Sequence, residues 1–391
     1  MKPKKIAIYS GVIPSSTFIE RLILGLALDG FKVYLFGLKL KNIEYKKNIF
    51  QITYSYKLSK IYNFFKYSFL LFIFKNREKK ILDEIIKSKN SDSKILKVKY
   101  YPVLYHKPDI FHVQWAKSLE DWIWVQDFGI KLVLSLRGTH ITISPIIDEN
   151  LVIQYKKNFP KVNGFHAVSK SILQEAQNYG ANLSKSKVIY SGLNLSDLNF
   201  LEEKKPNKIL KIISVGRSHW VKGYAVALDA FAILKTENFQ FQYTIIGIEN
   251  DEELIFKRSE LGLEHDVVFI KNNDFETIKK EIQNADFLLL PSLEEGIANV
   301  VLEAMALGTL VVSTNCGGMN EVITDGKNGF LVPIRDAKAI SQKIKMIDTL
   351  TESEKRIIIR RARNTIEMLH NFESMISEMK HLYDDVLNSK N

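Results

Sequence analysis

The stretch FLLLPSLEEGIANVVLEAMALGTLVVST (287–314) runs through a strand, a turn, a helix and a second strand. FLLLPS (287–292) is a continuous apolar run of strand length, and LVVST (310–314) is rich in β-branched residues. Between them LEEGIAN (293–299) breaks the pattern at Gly296, and VVLEAMALG (300–308) is made of good helix formers ended by Gly308. Apolar strands separated by helices imply a parallel sheet covered on both faces.

The same alternation extends both ways along the chain. In the second half the strand candidates are LKIISVG (210–216), YTIIG (243–247), VVFI (267–270) and FLVP (330–333), besides the two above. In the first half they are IAIYS (6–10), KVYLFGL (32–38), IFHVQW (110–115), LVLSL (132–136), FHAVS (165–169) and KVIYSG (187–192). The segment STFIERLILGLALDG (16–30) puts Phe18, Ile19, Leu22, Ile23 and Leu26 on one helical face, with Gly30 as its stop. The chain therefore reads as α/β, with two doubly wound domains. The predicted linker is NFLEEKKPNK (199–208), charged and broken by Pro206. From Thr351 onward only helical signals remain, so a long helix or a broken pair is expected to lie across a domain surface.

Composition fits two ordinary globular domains: 391 residues, 46% hydrophobic and 25% charged. One cysteine, Cys316, excludes an intramolecular disulfide and a Cys-clustered metal site, and it suits a reducing compartment. No signal peptide is expected, because the apolar run 6–10 is too short. Residues 1–200 hold 31 Lys and Arg against 15 Asp and Glu, whereas residues 201–391 are slightly acidic. A basic half attracts nucleic acid or an anionic membrane face. KIYNFFKYSFLLFIFKNREKK (60–80) is aromatic, apolar and flanked by lysines, but its apolar core (61–74) is shorter than the roughly 20 residues of a bilayer span. Two readings stand: a basic amphipathic element in the membrane surface, or a buried helix with snorkelling lysines.

Ligands of doubly wound sheets bind beyond the carboxyl ends of strands. No GxGxxG follows any strand, which weakens a dinucleotide reading. After the first strand, SGVIPSS (10–16) offers Gly11 for close backbone approach and Ser15 and Ser16 as helix caps. SVGRSHWVKG (214–223) brings Arg217 and Lys222 to a helix entrance, where two cations form a diphosphate clamp. LSLRGTHITISP (134–145) carries Arg137, Gly138 and His140, and the histidine is either a proton shuttle or structural. In 293–308 the free amides of residues 296–300 favour an anion at the helix start, with Asn299 as the natural cap. Glu295 precedes that helix and Glu303 lies about one turn inside it. An acidic residue there also stabilises the macrodipole by about 0.3–1 kcal/mol with no ligand at all. Two carboxylates around an anion pocket suit a ligand with hydroxyls at both ends and phosphate between, the shape of a nucleotide sugar.

Together these segments resemble the retaining glycosyltransferases of family 4 (glycosyl transferases group 1). VGRSHWVKG (215–223) resembles that family's Gly-Arg…Lys-Gly segment, and 294–332 resembles its E-x7-E block. HAVSKSILQEAQNYG (166–180) and VIYSGLNLSDLNF (188–200) resemble its inter-strand segments. The resemblance implies a GT-B fold: two Rossmann-like domains facing across a cleft. Residues 1–200 would form the acceptor side and 207–370 the nucleotide-sugar side, with a C-terminal helix (371–391) packing back on the first domain. It implies that Arg217 and Lys222 hold the donor diphosphate, assisted by the amides of Gly296, Ile297, Ala298, Asn299 and Val300. Glu303 would bind the ribose, Glu295 would contact the transferred sugar, and Gly11 would line the cleft. Arg137 and His140 stand where many relatives have His-Gly-x-Asp, and Asn194 stands where an aspartate is common; roles in sugar contact are carried to Arg137 and His140.

The expectation is thus a cytoplasmic retaining hexosyltransferase that uses a nucleotide-diphosphate sugar, with no metal and no further cofactor. Its acceptor would be a growing, lipid-linked surface glycan of polysaccharide or lipopolysaccharide biosynthesis. Peripheral contact of residues 57–80 with the inner face of the cytoplasmic membrane is expected. Nucleic acid is not, because RNA-module signatures are absent. The rivals are a GT-B sugar-nucleotide epimerase and a non-enzymatic membrane- or polyanion-binding protein.

Overall fold

The computed structural model describes residues 3–45, 47–89, 92–204, 207–271 and 274–389. The chain divides into two units, Met1–Val168 with Ile172–Gly192 and Phe372–Asn391, and Ser169–Ser171 with Leu193–Asn371. Each is built on its own parallel sheet.

The first sheet has seven strands: β1 (Lys5–Ile13), β2 (Lys32–Lys39), β3 (Ile49–Tyr54), β4 (Ile110–Val113), β5 (Lys131–Leu136), β6 (Gly164–Ala167) and β7 (Ser186–Val188). Their order is β3-β2-β1-β4-β5-β6-β7, all parallel, so the winding reverses between β1 and β4. The helix Thr17–Leu28 buries Ile19, Leu22, Ile23 and Leu26, four of the five residues its periodicity selects; Phe18 stays partly exposed. Ser16 sits at its N-cap without a side-chain capping bond, and Ser15 donates its backbone N–H to Glu20 instead. Two expectations change in this region. β1 does not end at Ser10: a register shift between Ile8 and Gly11 lets Val12 and Ile13 go on pairing with Leu38 and Lys39, so Gly11 lies inside a strand, opposite Gly37. β3 carries no continuous apolar run, because it is a half-exposed edge strand.

Three helices stand between β3 and β4, at Lys57–Phe74, Asn76–Lys87 and Ser93–His106. The first buries only Tyr67 and Leu71. The reading of 60–80 as a buried helix therefore fails for most of its apolar residues.

The second sheet has six strands: β8 (Leu210–Val215), β9 (Phe241–Ile246), β10 (Val267–Ile270), β11 (Phe287–Leu290), β12 (Leu310–Thr314) and β13 (Phe330–Val332). Their order is β10-β9-β8-β11-β12-β13, again parallel, with the reversal between β8 and β11. All six lie where the sequence predicts them.

The boundary falls earlier than the linker 199–208. Leu193 donates its N–H to His370, and Leu193 and Leu198 are buried with the helix Asn299–Leu307 in the second unit's core. Lys204 donates to the carbonyl of Ala285 and the hydroxyl of Thr309. The apolar residues before the charge run thus dock on the second unit. Lys205 and Pro206 lie outside the described residues. The C-terminal helical stretch is a broken pair, Glu352–Leu369 and Phe372–Asn388. The latter belongs to the first unit, where Met375, Ile376, Met379, Leu382, Tyr383 and Val386 join Ile6, Ile19, Leu22 and Val33 in one core.

That helix also closes a buried polar chain. Tyr383 Oη lies 2.7 Å from His112 Nδ1, His112 Nε2 lies 2.8 Å from Ser135 Oγ, and Ser135 Oγ lies 2.9 Å from His166 Nδ1. His166 Nε2 is 3.0 Å from the carbonyl oxygen of Ile189, which can only accept. This end point orders the chain: His166 Nε2 donates, Ser135 donates to His166 Nδ1, His112 Nε2 donates to Ser135, and Tyr383 donates to His112 Nδ1. Burial, then the neighbouring His166 and Arg137, hold His112 well below the usual histidine range. Burial and Arg137 bring His166 down to about 3. Because both folded values are depressed, their contribution to stability is complete above about pH 6.5 and is lost as the unfolded state takes up protons below it. Stability measured by urea unfolding is expected to fall below that pH, by about 1.4 kcal/mol per pH unit for each histidine. In His166→Gln the slope should shrink by one proton; an unchanged slope would refute the assignment.

Candidate functional site

In the second unit three loops meet at the carboxyl ends of β8, β11 and β12, beside the point where the winding reverses. The loop after β8 tightens through the turn Trp220–Lys222 into Gly223, whose φ is +67°. A Cβ at Gly223 would stand 2.0 Å from the carbonyl oxygen of Pro291. Leu293 donates its N–H to Val221 at 2.7 Å, which seals the loop after β8 against the one after β11. From the other side, the loop after β12 presents Gly317 at φ +50°, where a Cβ would fall 1.7 Å from the carbonyl oxygen of Glu295. Gly318 donates its N–H to Gly296 at 2.9 Å. Glu295 and Gly296 are thereby clamped between two backbones. Cys316, at the start of that third loop, is buried, and burial pushes its thiol up to about 12, so it is no nucleophile.

This clamp fixes one side-chain pair. Lys222 Nζ donates to Glu295 Oε1 at 2.6 Å, and Ser292 Oγ donates to the same oxygen at 2.9 Å. Both partners are largely screened from water, with side chains 21% and 16% exposed. Arg217, by contrast, is exposed at the carboxyl end of β8.

The helix after this loop spans Asn299–Leu307 and ends on Gly308 at φ +83°. Its N-cap is Ala298, not Asn299, and no side chain caps it. Asn299 is the first helical residue, and its Oδ1 is buried without a hydrogen-bond partner among the described residues. Ala298 donates its N–H to the sulfur of Met319 at 3.5 Å, so the run of free amides expected over 296–300 is interrupted there. The N–H groups of Gly296, Ile297, Asn299 and Val300 meet no acceptor among the described residues. Unpaired amides at a helix start carry the positive end of its dipole and suit an anion. Glu303 lies four residues into the helix and is only 8% exposed, unlike an ordinary surface charge.

In the first unit, Arg137 follows β5 directly and Gly138 (φ +38°) turns the chain into the short helix Thr139–Thr142. Arg137 Nη2 donates to Gln114 Oε1 at 3.0 Å, and the guanidinium lies 4.6 Å from the centre of the Phe18 ring. His140 is half-buried, its ring 5.1 Å from that of Trp115, and its carbonyl accepts from Tyr155 Oη at 3.0 Å. Gly11 stays in β1. The sequence reading passed over Ser292, Gln114 and the Gly317–Gly318 pair. A doubled glycine directly after a buried strand was the available signal for close backbone approach. The cavity beside Lys204, Leu210, Asp286 and Leu310, about 490 Å³, opens at the amino ends of β8, β11 and β12 and holds none of these groups.

Residues 197–365 match the family described as glycosyl transferases group 1. Among curated proteins, WcaL of Escherichia coli strain K12, named as a glycosyltransferase of colanic acid biosynthesis, is 31% identical over 253 residues, 63% of this chain and 62% of WcaL. AmsK of Erwinia amylovora, named as an amylovoran biosynthesis glycosyltransferase, is 31% identical over 220 residues, 53% of this chain and 54% of AmsK. The chain thus spans less than two thirds of the length of these curated relatives. Among solved structures, Anabaena HepE in complex with UDP and glucose superposes with a TM-score of 0.75 at 15% identity, over 97% of this chain and 99% of HepE. The family match takes in β8 to β13, and with them the loops that clamp Glu295 and the helix start beyond them. The match to glycosyl transferases group 1 falls within the second unit, and the two Rossmann-like units are those of the GT-B fold.

Proposed function

We propose that the protein is a retaining glycosyltransferase of the family 4 kind, which moves a sugar from a nucleotide-diphosphate donor to a growing, lipid-linked surface glycan. The observation that carries this reading is the Lys222–Glu295 pair, 2.6 Å apart beside the unpaired amides of Gly296, Ile297, Asn299 and Val300. An adjacent cation and free amides stabilise charge that builds up on a departing diphosphate. Arg217 adds a forked donor, and Ala298 serves only to shape the turn. In the transfer the acceptor oxygen bonds to the anomeric carbon while the bond from that carbon to the diphosphate breaks. The electron pair stays on the diphosphate, which also takes the acceptor's proton. Glu295 orients the sugar once Lys222 turns to the phosphates, and buried Glu303 holds the ribose hydroxyls. UDP in HepE and the polysaccharide pathways named for WcaL and AmsK support the choice of donor and acceptor class.

A donor screen that follows nucleotide release tests this. Lys222→Ala is expected to lower kcat/KM by about 10²–10³ and to abolish thermal stabilisation by UDP. Lys222→Arg should recover little, because a planar fork does not replace a mobile point charge. Glu295→Gln should keep UDP binding and lose turnover. Wild-type rates in both alanine and glutamine variants would sink the site. A new nucleotide sugar formed from donor alone, without nucleotide release, would favour an epimerase. The anomeric configuration of the product, read by NMR, tests retention.

Residues 57–80 are the proposed membrane contact. Along Lys57–Phe74, Leu58, Phe65, Phe69 and Phe72 share one helical face, and the three phenylalanines are 65%, 63% and 62% exposed. Lys57, Lys60 and Lys66 lie along the same helix, a pattern suited to an anionic lipid surface. No described helix is long and apolar enough to cross a membrane. Flotation with vesicles containing phosphatidylglycerol should recover the protein, less so at high salt. A Phe65→Ser, Phe69→Ser, Phe72→Ser variant should stay unbound while UDP still stabilises it; full binding by that variant would refute the contact.

A further inference from the structure

The first unit buries a positive charge that no carboxylate among its described residues balances. Arg137 is 9% exposed; among the described residues its guanidinium donates one hydrogen bond, to the neutral amide of Gln114, and lies over the Phe18 ring. Its Nε–H is buried and meets no acceptor there. The titratable groups that act on it, His112, His166 and Tyr383, are held neutral by burial. Burial brings the guanidinium down to about 9, which leaves it protonated at neutral pH. A buried cation among neutral neighbours costs stability, and an unpaired N–H adds to that cost. A bound anion would remove both penalties.

The space beside the guanidinium limits which anion that is. Arg137 lines a void of about 10 Å³, room for about one water-sized group, together with Phe18, Met375 and Met379 and with His166, Tyr190 and Ser191. A carboxylate, a sulfate or a phosphate carries several heavy atoms and does not fit. An anion of one atom does. No Asp or Glu lines the void to take its place. His166 uses both ring nitrogens elsewhere: Nδ1 accepts from Ser135, and Nε2 donates to the Ile189 carbonyl. It is therefore not the acceptor that the guanidinium lacks. A water molecule would satisfy the N–H but leave the charge uncompensated. Ring and thioether walls suit a polarisable, weakly hydrated halide better than a small, strongly hydrated one.

We infer that the first unit binds a chloride ion on Arg137 as a structural counter-ion. The groups around it come from four stretches far apart in the sequence. Phe18 belongs to the helix Thr17–Leu28, Arg137 follows β5, Tyr190 and Ser191 follow β7, and Met375 and Met379 belong to the helix Phe372–Asn388. The ion thus sits where the C-terminal helix docks, and its binding favours the folded first unit by mass action. The site lies wholly within that unit and is independent of the glycosyltransferase reading.

The test compares thermal unfolding of the full chain in sodium chloride and in sodium gluconate, whose anion is too large for the void. Equal ionic strength matches the screening and leaves only the bound ion different. Chloride at about five times its Kd should raise Tm by about 2–4 °C, and the rise should grow only slowly with further salt. Sodium bromide should act like the chloride. In Arg137→Gln the difference between the salts should vanish. Should that variant not fold, crystals of the wild-type protein grown in sodium bromide give a second reading. An anomalous peak is expected within hydrogen-bond reach of the Arg137 guanidinium. Equal Tm in chloride and gluconate, the same chloride shift in Arg137→Gln, or bromide peaks only on the protein surface with a water beside Arg137 overturns the inference.

Discussion

No side-chain atom can stand at Gly223, because the carbonyl of Pro291 already occupies that space. The constraint brings the loop after β8 against the loop after β11 where the order of strands reverses. In an open parallel sheet, that is where crossovers leave in opposite directions and uncover the strand ends. Gly317 imposes the same closeness from the β12 side. The positions of Lys222, Glu295 and the unpaired amides follow from two backbone contacts that only glycine permits. Electrostatics then acts on a geometry already set by sterics.

Much of this was legible in the sequence, for identifiable reasons. In the second sheet β11 and β12 are buried along their whole length and show as apolar runs, and even the half-exposed edge strand β10 is uniformly apolar. β3 escaped because an edge strand is half-exposed and its residues need not be uniformly apolar. Gly11 was misplaced because a register shift inside a strand looks, in one dimension, like a turn. Asn299 was read as a cap from its residue type, but the chain turns helical one residue earlier, at the expense of its side-chain oxygen. The domain boundary slipped because the charges of 202–205 suggested a linker, while Leu193 and Leu198 were already docked. Glu295 and Glu303 were readable as positions. That Lys222 pairs with Glu295 was not, since that contact depends on two loops far apart in sequence.

The two units hold their key cations in opposite ways. Lys222 sits beside a carboxylate that can release it, so its charge is compensated in the absence of ligand. Arg137 has no such partner among the described residues and is held by Gln114 and the Phe18 ring. A flexible ammonium with a local counter-ion can move toward a ligand without leaving a charge stranded. A guanidinium held among neutral groups has no such local counter-ion.

The helix Phe372–Asn388 has a bearing on how the protein is made. The chain leaves the first unit after Gly192 and returns at Phe372, so the second unit is an insertion within the first. On a ribosome the inserted unit has its whole sheet, β8 to β13, before the first unit has its last core residues. β1 to β7 must wait, with the face that receives Met379, Leu382 and Tyr383 still uncovered and with Ser135 and the two histidines lacking the phenol that ends their chain. Synthesis order and folding order are therefore inverted: the part begun first is the part completed last.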